Sequence, residues 1–116
     1  MPTNTELLEQ KCTHQVAALT DEEIAQCLNT VDGWTLADGK IVKTFKFKNY
    51  YETLAYVNAI AYVFHAEDHH PELTATYNRC TLKFDTHSVN DGKGGISIND
   101  FICAAKIDVI FMQSFS

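Results

Sequence analysis

The sequence predicts an α+β domain with helices packed on one face of a four-stranded antiparallel sheet. The expected order is helix-strand-strand-helix-strand-strand-helix. Three stretches carry that reading. Asp38-Gly39 separates two runs of strand-like residues, and this dipeptide is a strong hairpin signal because both positions tolerate positive φ. Residues 72–87 alternate apolar and polar side chains around a second turn, the period of half-buried strands. Between the hairpins, residues 50–68 are apolar on more than one face, as expected of a helix covered from two sides.

The chain has 116 residues, 46% of them hydrophobic, enough for one core. Residues 1–19 are polar and weakly patterned, which predicts a flexible, frayed arm ahead of a domain over 20–116. Cys12 and His14 form a CxH pair there, too few ligands for a metal. Thr20 and Glu23 make a capping box, with Leu19 placed to staple onto Ile24, so a short helix starts at Thr20 and Gly33 ends it. Trp34–Ala37, the Asp38-Gly39 turn and Lys40–Lys48 form the first hairpin. Ile41, Phe45 and Phe47 share one side, while Val42 and Lys43 interrupt the alternation. Trp34 is expected in the core.

Asn49 caps a long helix from Tyr50 to about Asp68. Ser97 and Asp100 suggest a capping box for a final helix to about Gln113, reached through the polar loop of residues 90–95. The wide apolar surfaces of these two helices predict helix-mediated self-association.

The chemistry is concentrated between His65 and His87, which hold four of the five histidines. Pro71 disfavours helix at His70, so the long helix ends near His69, one turn beyond His65. A loop at Asn78-Arg79 would pair Tyr77 with Cys80, Ala75 with Leu82 and Leu73 with Phe84, placing His70 opposite His87. A loop at Tyr77-Asn78 shifts the pairing by two residues and keeps the same sides inward. In either register His87 returns to His69 and His70. HAEDH is not HExxH, so metalloprotease geometry is missing, although three imidazoles could still hold zinc with an open position. Clustered imidazoles suit acid–base chemistry near neutral pH. The carboxylates Glu67, Asp68, Glu72 and Asp85 lie close enough in sequence to hold one imidazole charged.

Net charge is −6 without a cluster of Lys and Arg, which argues against direct nucleic-acid binding. Four cysteines without a CxxC pair read as free thiols. No stretch is long enough to span a membrane and no apolar leader precedes the domain. The expectation is a cytoplasmic protein.

These residues resemble the pterin-4a-carbinolamine dehydratases, also known as dimerisation cofactors of a homeodomain transcription factor. The matching pattern is His69-His70-Pro71, an aromatic at Tyr77, His87, and Asp100 within NDFICAAKID. FKFKNYYETLAYVNAIAYVFHAEDHHPEL resembles the family's second strand and long helix, and the likeness runs from about Thr20 to Ile110. It implies dehydration of 4a-hydroxytetrahydropterin to quinonoid dihydropterin, in recycling of the pterin, without a cofactor. It also implies a homodimer or homotetramer, and that His69, His70 and His87 are catalytic, with Glu67, Asp68, Pro71, Tyr77 and Asp100 around the substrate. Three departures stand out: His65 replaces an acid found in many members, Leu73 replaces an aromatic, and the 90–95 loop is longer. The alternative the resemblance suggests is an oligomeric interaction module that stabilises a partner's dimer.

Overall fold

Asp38 and Gly39 both take left-handed backbone angles, with φ of 52° and 76°. The turn therefore has the twist that a two-residue hairpin requires. It joins β1 (Thr35–Ala37) to β2 (Lys40–Lys46). The computed structural model describes residues 1–116 and follows the predicted order with one addition. α1 (Asn4–Glu9) and α2 (Asp21–Leu28) precede this hairpin, and α3 (Tyr50–Glu67) follows it. β3 (Glu72–Ala75) and β4 (Arg79–Phe84) form the second hairpin before α4 (Ile98–Ser114). The sheet runs β1-β2-β4-β3, with every neighbour antiparallel.

Strand alternation decides what the core receives. Ile41 and Phe45 of β2 and Cys80, Leu82 and Phe84 of β4 are buried, together with Tyr56 and Ile60 of α3 and Phe101 and Ala104 of α4. On the opposite side, the Thr44 and Thr81 hydroxyls meet at 2.9 Å in an exposed pair. Lys43 breaks the apolar pattern for a reason. It shares the parity of Ile41 and Phe45, and its Nζ lies 4.7 Å from the Phe45 ring centroid and 2.9 Å from Asp108 Oδ1. Trp34 is a core residue, and its Nε1 donates to Asp108 Oδ2 at 3.0 Å. Burial pushes the Asp108 carboxyl up, against the opposing pull of Lys43 and Trp34.

The frayed arm expected over residues 1–19 is replaced by a defined course. Thr3 and Glu6 close a capping box around α1, and Leu7 is completely buried against α4. A six-residue helix is unstable alone, so its formation rests on this packing. That contact also covers part of α4, whose apolar breadth had pointed to self-association. No helix is long and apolar enough to cross a membrane.

The second hairpin turns at Tyr77-Asn78, pairing Leu73 with Leu82 and Ala75 with Cys80. Of the two registers open to the sequence, this is the shifted one. Asn78 does not take a positive φ. The turn is held instead by outside donors: Phe47 N–H to the Asn78 carbonyl at 2.8 Å and the Thr53 hydroxyl to the Tyr77 carbonyl at 3.1 Å.

Candidate active site

α3 ends abruptly. Asp68 takes a left-handed conformation, φ 51°, while its N–H and that of His69 donate back to the carbonyls of His65 and Phe64. This is a Schellman closure with Asp where Gly is usual. It corrects the expected stacking of His69 one turn above His65: the helix stops at Glu67, and the reversal carries His69 off its axis. His65 stays exposed on α3.

His69 then meets two groups from distant elements. Its ring stacks on Phe84 at the end of β4, with centroids 5.9 Å apart and planes at 14°. Its Nε2 lies 2.6 Å from Asp100 Oδ1. Asp100 is completely buried, and its Oδ2 accepts from Thr86 Oγ1 at 2.9 Å and from the Ser97 N–H at 3.0 Å. The capping box expected at Ser97 therefore forms, and the same carboxylate reaches across to the imidazole. An ionised carboxylate only accepts, so the hydrogen-bond network assigns the ring proton to Nε2. Nδ1 has no protein partner. Because no buried polar side-chain atom is left without one, Nδ1 is accessible, and His69 lines the neighbouring cavity.

That cavity has a volume of about 320 Å³ and is walled by His69, His70, His87, Asp68, Asp85 and the segment 12–15. It is at the small end for ligand pockets and unusually polar. The His70 and His87 rings lie 6.3 Å apart at 78°. His87 Nε2 is 3.4 Å from Asp85 Oδ1, whereas His70 has only a long 3.4 Å contact from Nδ1 to the Pro71 carbonyl.

Segment 12–15 is a strap clipped across the site. Cys12 N–H donates to Glu67 Oε1 at 2.8 Å, Thr13 N–H to Asn99 Oδ1 at 3.2 Å, and Asn99 Nδ2 to the Thr13 carbonyl at 2.7 Å. Ser88 Oγ donates to the Gln15 carbonyl at 2.6 Å. The 90–95 loop is a closed turn on the same strap. Asn90 N–H donates to the Val16 carbonyl, and Thr86 and Gly95 bridge its base.

The remaining candidates divide. Asp68 lines the cavity. Glu67 is buried behind it, 2.7 Å from Lys106 Nζ. Burial raises its carboxyl, but Lys106 and the Cys12 N–H together pull it below the ordinary value. Pro71 is half-buried and contributes its carbonyl to His70. Tyr77 is 64% exposed at the far end of the hairpin, about 20 Å from the histidines by strand rise, and does not join them. Residues 12–15 and Asn99 had not been singled out as site residues. The available signals were the CxH pair and the Thr3–Glu6 box.

Residues 17–110 match the family model described as pterin 4 alpha carbinolamine dehydratase. The chain belongs to that family. A Bdellovibrio bacteriovorus protein, whose name provisionally assigns it as a pterin-4-alpha-carbinolamine dehydratase, is 59% identical over all of this chain and 97% of its own length. A Nitrosospira multiformis protein named in the same way is 49% identical over 86% of this chain and 85% of its own length. The crystal structure of a transcriptional coactivator/pterin dehydratase from Brucella melitensis superposes with a TM-score of 0.72 at 33% identity, covering 80% of this chain and 97% of that one. The carbinolamine dehydratase family model begins at residue 17, beyond the strap. The Bdellovibrio relative aligns through it.

Proposed function

We propose that the protein dehydrates a 4a-hydroxytetrahydropterin to the quinonoid dihydropterin and water, using the histidine cavity for acid–base catalysis in pterin recycling. The observation that carries this reading is the His69–Asp100 pair beside His70 and His87, in a chain of this family. The C4a–O bond must break with a proton delivered to the departing hydroxyl, while N5 gives up its proton to form the double bond to C4a. One proton enters and one leaves, so the enzyme returns to its starting state.

His69 and His87 each have a carboxylate oxygen near Nε2, and they are the two proton-transferring imidazoles. His69 exchanges its proton through Nδ1. His70 lacks a carboxylate partner and serves to bind the pterin, with Asp68 on the same wall.

A stopped assay of carbinolamine loss tests these roles. His70→Ala should raise KM about tenfold with kcat within a fewfold of wild type, whereas His87→Ala should lower kcat by about a hundredfold. Equal effects on kcat in both variants would overturn the division of labour.

The protein self-associates through α3 in this reading. Tyr51, Leu54 and Tyr62 stand 81%, 37% and 72% exposed, and their spacing puts them on one stripe of the helix. Leu54→Lys combined with Tyr62→Lys should convert the oligomer to a folded monomer in sedimentation velocity. An unchanged sedimentation coefficient would place the interface elsewhere.

A further inference from the structure

All four cysteines are free thiols. Cys27 and Cys80 are buried in the core, whereas Cys12 and Cys103 form a contact across the site's edge. Their Sγ atoms lie 3.7 Å apart, and Cys12 Sγ is also 3.6 Å from the Asn99 carbonyl. Cys12 is half-buried and lines the cavity, while Cys103 on α4 is completely sealed. The Cys12 N–H is fixed on Glu67, and the next residue is clamped by Asn99. The strap is therefore fixed to Glu67 and Asn99 next to Cys12, which keeps its sulfur against that of Cys103 without a bond between them.

We propose that Cys12 and Cys103 are an oxidisable pair whose disulfide fastens the strap to α4, formed by exchange with a low-molecular-weight disulfide. An S–S bond is about 2.05 Å, so closure draws the sulfurs together by less than 2 Å.

The two thiols have unequal parts. Only Cys12 can be reached from the cavity, so its thiolate attacks the reagent. The Cys103 thiol is pushed up by its hydrogen bond with Cys12 and by burial, with Glu67 and Asp100 adding like charge, and it stays protonated until the second step. In the first step, Cys12 sulfur bonds to one sulfur of glutathione disulfide and expels glutathione thiolate. In the second, Cys103 sulfur attacks the Cys12 sulfur of the mixed disulfide and expels the other glutathione, while the Cys103 proton passes to a thiolate. Two protein thiols are oxidised and one external disulfide is reduced.

The test equilibrates the reduced full-length protein in glutathione buffers of rising oxidised fraction, quenches with N-ethylmaleimide, and reads intact mass and disulfide-mapped peptides. The expected product has lost two hydrogens at the pair and takes up no N-ethylmaleimide at Cys12 or Cys103, with one bond mapped to Cys12–Cys103 and absent from Cys12→Ser and Cys103→Ala. Amide hydrogen exchange over residues 10–16 should slow several-fold on oxidation. Cys12→Ser sits on the half-buried strap and provides the control should Cys103→Ala disturb the core. Alkylation of Cys12 in the most oxidising buffer, a persistent glutathione adduct on Cys12, or a bond mapped to another pair would each overturn the proposal. These readouts are independent of turnover, so they separate the redox pair from the dehydratase reading.

Discussion

Alanine at His69 should lower kcat for carbinolamine dehydration by about two to four orders of magnitude, and it should also lower the thermal unfolding midpoint, because the buried Asp100 loses the partner of its Oδ1. Its imidazole is the one with a buried carboxylate behind Nε2 and an open Nδ1. Asp100→Asn is the sharper variant. The Ser97 N–H requires an oxygen at its side of the group, so the amide NH2 falls against His69. There it demands a lone pair on Nε2, and the ring proton moves to Nδ1. The wrong tautomer then faces the substrate, and kcat should fall by about two orders of magnitude or more while the ring stays in place. Near-wild-type kcat in both variants would remove His69 from proton transfer.

Lys106→Met should destabilise the fold by about 3 kcal/mol, because it strands the buried Glu67 carboxylate. Urea unfolding measures this directly. The pair's pH dependence has a definite sign. Glu67 is held below the ordinary carboxylate value in the folded state, so its contribution is complete above the unfolded value of about 4.3. It is lost as pH falls through the lower folded value. The gap between wild type and Lys106→Met should thus be widest near neutrality and close in acid. Adding Glu67→Gln should recover part of the loss at neutral pH. A gap that stayed constant from pH 7 to pH 3 would show that the charge on Glu67 is not responsible.

The sequence was most informative where a local rule and the global fold agree. Asp38-Gly39, the Thr20 and Ser97 caps and the strand alternation each specify structure within a few residues. The return of His87 to His69 and His70 followed from parity, which survives a two-residue shift in register. What remained hidden depended on contacts from far along the chain. Asp68 adopts a conformation more typical of glycine, and nothing local announces it. The hairpin turn is chosen by Phe47 and Thr53 rather than by Asn78. The strap is polar and patternless because its order comes from backbone bonds to Glu67, Asn99 and Ser88, which composition does not reveal. Tyr77 matched by position but sits at the wrong end of a strand.

Asp100 belongs to two structures at once, the first turn of α4 and the setting of His69. That turn is capped and buried from Asn99 onward, so it opens only when the packing around it yields. An opening of that turn withdraws the acceptor from Nε2 and frees the ring proton to migrate. Activity in this protein should therefore report on the integrity of the core around one helix end, declining on warming together with the core and not ahead of it.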